Sequence, residues 1–433
     1  MFPHLWVVYA AHLELQRQRR ELLQSYAQRY PSEVQWFKEM QDWGFYQWSP
    51  RQRVTRERGN KLIGASRWVN ENPDKLHEVV RRVNHRGRPP LLSIPDTTVV
   101  LQKKPQPCKI PSGYPYSTPS FSPLIAALQK QIDMTEINFV ATSMSLRTIG
   151  LAKPSKKPAV FVQRYRHMLV LNWSGSFILD LNQPGFQLER ALTGSLVDAP
   201  YHSLGSTHTI RTGAIGAHKV LCCGEVDAMD RDGNVVEIKS DPKASKSADG
   251  KVQLMLCGAG KKVSPRVRRD SRDEIVISEF EVQDVPKTAK EEEEGEEIGE
   301  DCPLVSTDEG NEFQSMDFTT DASAQTPAET GVMALGWRVK FVLDWLLEQP
   351  ELRSPRAEAG ADGAAASLLS RTYSISFDNI GMPSLAPHTQ DLLPHQAACD
   401  ELFGYSPRTP RPGGARKGRW TITRRSAGDR DSA

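Results

Sequence analysis

At 433 residues the chain has room for roughly two to three average domains, or for one large domain with tails. An apolar share of 38% against 25% charged residues fits a folded body diluted by polar segments, and a formal net charge of +2 leaves nucleic-acid binding to be decided by local patches. Cys108, Cys222, Cys223, Cys257, Cys302 and Cys399 form no C-x-x-C pair, which argues against a zinc-ligand set or a disulfide framework and for a reducing compartment.

The apolar stretch Leu5-Trp6-Val7-Val8-Tyr9 is too short to span a bilayer, lacks a basic leader, and runs into Gln16-Arg17-Gln18-Arg19-Arg20. An intracellular chain of the nucleus or cytoplasm, with no membrane partner, is expected. Residues 4–48 carry Leu13, Leu22, Leu23, Tyr26, Tyr30, Trp36, Phe37, Met40, Trp43, Phe45 and Trp48 at spacings that predict helices with one apolar stripe. Together with the arginines between Arg51 and Arg88, they make residues 1–102 a helical, Arg-rich N-terminal region. Residues 103–133 open on Pro, Ser and Lys and read as a linker.

From 134 to 286 the texture changes to short apolar runs of strand type, among them Phe139-Val140-Ala141, Met168-Leu169-Val170-Leu171 and Val235-Val236-Glu237-Ile238. These predict the core of an α+β fold, a mixed β-sheet flanked by helices. Residues 287–328, centred on Glu291-Glu292-Glu293-Glu294, are too acidic to offset their chain entropy and read as a disordered insertion. Residues 329–350 hold a helix-length stretch, Val332 to Leu347, apolar on nearly every side and therefore expected to be buried against the core. Residues 351–433 are rich in Ala, Gly, Pro and Arg and read as a flexible basic tail.

The chemistry concentrates between Gly224 and Lys239. Asp232-Gly233 between two β-rich runs is a hairpin signal. Alternation puts Glu225 and Asp227 on one face, and Glu237 and Lys239 on one face opposite Val236 and Ile238. A hairpin closed over Asp232-Gly233 would bring three carboxylates and one ammonium together. Such carboxylates repel unless a cation lies between them, and an all-oxygen set suits Mg2+ or Mn2+, as two ions about 3.5–4 Å apart for in-line phosphoryl chemistry. Asp230 and Asp232 fit the turn itself, His218 fits a structural role on the entering strand, and Cys222 and Cys223 fit the core.

Glu225-x-Asp227 followed by Glu237-x-Lys239 resembles the PD-(D/E)XK nuclease superfamily. Ile215-Gly216-Ala217-His218-Lys219-Val220-Leu221, Gly224-Glu225-Val226-Asp227 and Val236-Glu237-Ile238-Lys239-Ser240 resemble, more narrowly, the DXO-type decapping exoribonucleases. The resemblance is good over about residues 190–285 and weaker over 134–190 and 330–348. Gly194-Ser195-Leu196-Val197-Asp198 falls where that family has a glycine followed four residues later by a metal-binding glutamate, and Gln253-Leu254-Met255-Leu256 resembles the segment opening on its active-site glutamine.

The resemblance implies a nuclease core of PD-(D/E)XK type with catalytic Glu225, Asp227, Glu237, Lys239 and Gln253. Its metal set would be Asp198, Glu225, Asp227, Glu237 and Ile238, and its substrate contacts Lys239, Gln253 and Arg147. It implies a hydrolase that removes incomplete, triphosphate or NAD caps from RNA 5′ ends and digests the body 5′→3′, with a nuclear exoribonuclease as a further partner. The chain departs from the pattern twice, with Asp198 in place of glutamate and with no tryptophan-arginine pair between Thr142 and Arg147. Two other readings stand beside this one: an RNA-end-binding member that no longer cleaves, and a DNA nuclease of the same superfamily.

Overall fold

The computed structural model describes residues 3–30, 38–48, 80, 83–103, 114–115, 122–154, 159–173, 178–179, 184–194, 206–242, 247–285, 327–353, 369–388 and 393. In chain order, helix α1 (Pro3–Arg29) precedes strands β1 (Lys38–Trp48), β2 (Val83–Asn84), β3 (Val99–Gln102) and β4 (Tyr114–Pro115). Helix α2 (Ser122–Gln129), β5 (Phe139–Thr142), α3 (Ser143–Leu151), β6 (Val160–Tyr165), β7 (Met168–Trp173), β8 (Ile178–Leu179) and α4 (Pro184–Thr193) follow. Then come β9 (Ser206–Ile215), β10 (His218–Val226), β11 (Ala228–Met229), β12 (Val235–Ile238), α5 (Ala248–Cys257), β13 (Lys261–Asp270) and β14 (Glu274–Asp284). Helix α6 (Pro327–Glu348), β15 (Leu369–Phe377) and β16 (Pro383–Pro387) close the described chain.

These strands make a mixed nine-stranded sheet in the order β16-β15-β6-β7-β5-β10-β9-β1-β2, a mixed five-stranded sheet β11-β12-β13-β14-β3, and a small β4-β8 pair. At the centre of the large sheet β5 runs parallel to both β7 and β10. Their side chains are buried on both faces, which is why these runs read as continuously apolar. Alternation sorts them. Val140, Val170, Leu221 and Cys223 pack under α2, while Phe139, Ala141, Leu169, Leu171, Val220 and Cys222 pack under α3, α5 and α6.

Helices α3 and α5, which border the site, are capped at both ends. Thr142 Oγ1 accepts from Ser145 N at 3.1 Å to start α3, and Ser247 Oγ accepts from Gly250 N at 3.1 Å to start α5. Gly258, at φ 72°, ends α5 in the left-handed conformation. Helix α5 lies unusually close to β10: a Cβ on Gly224 would fall 2.7 Å from Cys257 Sγ. Helix α6 buries Leu335, Val339, Val342, Leu343 and Leu346, as its all-round hydrophobicity predicts.

Three expectations are corrected. The N-terminal region is not wholly helical: after α1, Lys38–Trp48 is a strand paired with β9. The linker reading of 103–133 gives way at α2, where Leu124, Ile125, Ala126 and Ala127 are at most 1% exposed. The flexible-tail reading of 351–433 gives way at β15 and β16, which extend the large sheet from β6 and bury Ile375 and Phe377. The expected acidic insertion lies outside the described residues up to 326. Among the described residues no helix is long and apolar enough to cross a membrane.

Candidate functional site

The site lies where the chain passes from one sheet to the other. Strand β10 leaves the large sheet at Val226, Asp227 is the passing residue, and β11 then pairs with β12 in the small sheet. The predicted hairpin is therefore real but shared between two sheets. Its turn is held by Asp230, whose carboxylate accepts from Asp232 N at 3.0 Å and Asn234 N at 2.8 Å, with Gly233 at φ 89°. Burial raises the Asp230 pKa, but the bonds from Asn234 and Lys261 outweigh it and bring it down to about 2. Asp230 is a turn residue, as expected.

On β12, Val236 and Ile238 pack with Leu188 and Leu192 of α4, and Glu237 points the other way, toward α5. Glu237 is 1% exposed. Its Oε1 accepts from Gln253 Nε2 at 2.5 Å and from Lys239 Nζ, and Lys239 Nζ also donates to Gln253 Oε1 at 3.2 Å. Its Oε2 is buried and has no hydrogen-bond partner among the described residues. Leaving a buried carboxylate oxygen unpaired costs on the order of 1–3 kcal/mol or more, so this atom marks a place built for something else.

Other acids surround it. Asp227 Oδ2 accepts from Ile238 N at 2.8 Å, tying the crossover to β12. Burial, with the like charges of Glu237 and Glu189, holds the Asp227 pKa well above its ordinary value against the opposing pull of Lys239. Loss of hydration in this protein-dense cleft, and then the charge of Glu237, pushes Glu225 up to about 7, although solvent still reaches the side chain. Glu189, on α4, is pushed up to about 8 by burial and by Glu225 and Glu237. Lys239 stays an ammonium: burial disfavours its charge, but Glu237 and Asp227 more than restore it.

The structure thus brings together Glu225, Asp227, Glu237, Lys239, Gln253 and Ile238. It also places Arg147, on α3, close enough for Glu237 and Lys239 to feel its charge. Asp198 lies outside the described residues. The acid that α4 supplies among the described residues is Glu189, which the sequence reading missed. Its signal was present: Gly185-Phe186-Gln187-Leu188-Glu189 has the same glycine-to-acid spacing as Gly194 to Asp198, and it ends in glutamate.

The carboxylates are gathered but not closed. Among the described residues no three Asp, Glu, His or Cys side chains surround one point as a finished metal cage. Lys239 draws one oxygen of Glu237, and Ile238 N holds one of Asp227. The donors nevertheless fit a hard divalent cation: all are oxygens, one is buried and unpartnered, and three of the acids have raised pKa values that a cation between them would reverse.

His218 stands apart from this cluster. Its Nε2 lies 2.6 Å from Asp344 Oδ1, and Asp344 also accepts from Tyr30 OH at 2.5 Å and Lys340 Nζ at 2.7 Å, so Asp344 ties His218 of β10 to α6 and to Tyr30, the residue that follows α1. Cys222 and Cys223 are buried in the core.

No protein-family model matches the sequence, and no curated protein matches it. Solved structures that it resembles include Dxo1 and Rai1 proteins. K. lactis Dxo1 in complex with manganese is 12% identical, with 60% of this chain and 68% of that one covered at a TM-score of 0.36. S. pombe Rai1 is 14% identical, covering 83% and 96% at 0.45. Candida albicans Rai1 in complex with pU5 and Mn2+ is 12% identical, covering 83% and 91% at 0.45.

Proposed function

We propose that this cluster binds a divalent cation, Mg2+ or Mn2+, and that the protein hydrolyses phosphate bonds at RNA 5′ ends. The observation that carries the reading is Glu237: nearly inaccessible, held on one oxygen by Lys239 and Gln253, unpartnered on the other, and surrounded by Glu189, Glu225 and Asp227. Glu189, Glu225, Asp227 and Glu237 would hold the ion, with the main-chain carbonyl of Ile238, the oxygen an isoleucine has to offer. An ion held by these residues would supply Lewis-acid chemistry to a phosphoryl oxygen and to the attacking water.

The chain's own groups do the rest. Lys239, kept protonated by Glu237 and Asp227, offers positive charge where negative charge builds on the phosphorus centre. Gln253 accepts from Lys239 and donates to Glu237, so it fixes both side chains at once. Arg147 supplies a second, always-charged group for a phosphate. RNA rather than DNA, and the 5′ end rather than the interior, follow from the resemblance of Gly224-Glu225-Val226-Asp227 and Glu237-Ile238-Lys239-Ser240 to the decapping exoribonucleases.

The test incubates purified protein with end-labelled RNAs carrying triphosphate, monophosphate, NAD or hydroxyl 5′ groups, with and without Mn2+. The expected result is Mn2+-dependent release of the 5′ group followed by shortening from that end. Binding of RNA ends with no cleavage of any substrate would contradict the hydrolase reading and leave the binding module in its place.

A further inference from the structure

Helix α5 presents two polar residues one turn apart toward the site, Asp249 and Gln253. Gln253 bridges Glu237 and Lys239. Asp249 takes Arg147 of α3 in a two-pronged pair, accepting from Nε at 2.8 Å on Oδ1 and from Nη2 at 2.5 Å on Oδ2. Both partners are largely enclosed, with the Arg147 side chain 14% exposed and that of Asp249 29%. The pair uses one edge of the guanidinium and leaves Nη1 outside it. An arginine held this way has given up its rotamer freedom before any ligand arrives, and the paired carboxylate fixes the plane of the fork.

We propose that Asp249 is a positioning residue that holds the Arg147 guanidinium at the edge of the acidic cluster, so that Arg147 grips the terminal phosphate of a 5′-phosphorylated RNA. The inference rests on the proposed function and names the group at its site that distinguishes a phosphorylated end from a bare one. An acidic cluster repels a terminal phosphate unless fixed positive charge stands beside it. Among the described residues Arg147, Lys239 and, beside Glu189, Arg190 supply positive charge there; Lys239 is already engaged by Glu237 and Gln253, and Arg190 turns its Nε to the Phe186 carbonyl of its own helix. Asp249 also lies in the first turn of α5, where a carboxylate favours the helix whatever Arg147 does. The two roles separate by experiment.

Binding of oligoribonucleotides identical but for a 5′ monophosphate or a 5′ hydroxyl is read by fluorescence anisotropy, with Ca2+ present to neutralise the cluster. Wild type should prefer the phosphorylated end, and Arg147→Ala should erase the preference. Asp249→Asn should reduce it by about tenfold, as expected for weakening one hydrogen-bonded contact to a charged group. The double variant should be no worse than Arg147→Ala alone. Arg147→Lys, which keeps the charge without the fork, should resemble Asp249→Asn and remains informative if the latter folds poorly.

Equal loss on both RNAs, an Asp249→Asn effect that persists in the Arg147→Ala background, or a wild type indifferent to the 5′ group would overturn the inference. A wild type that prefers phosphorylated ends but never cleaves under Mn2+ contradicts the proposed function while supporting this one.

Discussion

Cation binding at this cluster should release protons, because three of its carboxyls have raised pKa values. With Glu189 at about 8, that group is protonated at pH 7 in roughly nine molecules of ten, and Glu225 at about 7 in roughly half. An ion must take these carboxylates as anions, so binding at pH 7 should expel at least about one proton per ion. Asp227, also raised, can only add to that number. Titration calorimetry with Mn2+ in buffers of different ionisation enthalpy measures the release directly.

The heat should vary with buffer, and affinity should climb by at least about tenfold per pH unit between pH 6 and 7. Glu237→Gln removes both a ligand and the charge that raises Glu225 and Glu189, so it should weaken binding by at least about tenfold and reduce the proton release. The sign for stability follows the same linkage. Acids whose native pKa lies above the unfolded value favour the fold below about pH 4.5, and that contribution is lost as pH rises through about 7 to 8. The metal-free protein should therefore melt lower at pH 8 than at pH 6, with Mn2+ removing the difference. Tight binding with buffer-independent heat would refute the reasoning.

Glu189→Gln should reduce Mn2+ affinity and cleavage as strongly as Glu225→Gln. Asp198→Asn should leave both near wild type, and the reverse ranking would return the first acid to Asp198. Burial disfavours the Asp344 anion, but His218, Lys340 and Tyr30 outweigh it and hold its pKa far below the ordinary range. Its stabilisation is thus complete above the unfolded pKa of about 3.9 and lost below it; Asp344→Asn should cost about 1.5–3 kcal/mol near pH 7 in denaturant melts, with cleavage unaffected. Ile375→Ala, in the strand once read as tail, should cost about 2–5 kcal/mol because the side chain is fully enclosed; no change in melting would restore the tail reading.

Most of the candidate site was legible because it is local. Glu225, Asp227, Glu237 and Lys239 sit within fifteen residues, and strand alternation relates them without knowledge of the fold. Glu189 was not legible in that way. It reaches the cluster because Leu188 and Leu192 seat α4 on Val236 and Ile238, a contact across nearly fifty positions of sequence that no local period encodes.

The strand β1 was misread for a related reason. A register shift between Asp42 and Phe45, with Gly44 at φ 79°, breaks the alternation, so Met40 and Trp43, and again Phe45 and Trp48, fall three residues apart, a spacing that imitates a helix. In β15 the alternation Thr372, Ser374, Ser376 against Tyr373, Ile375, Phe377 was intact. The Ala- and Gly-rich composition around it outweighed a signal that only pairing with β6 makes strong.

The central claim is that Glu237 Oε2, buried and unpartnered, is a cation ligand. Anomalous scattering from crystals soaked in Mn2+ tests it most directly. The account predicts a peak about 2.1–2.2 Å from Glu237 Oε2, shared with carboxylate oxygens of Glu189, Glu225 or Asp227. Clear density for the cluster with no Mn2+ peak, at Mn2+ concentrations that saturate binding in solution, or a peak elsewhere with Lys239 and Gln253 as the sole partners of Glu237, would contradict it.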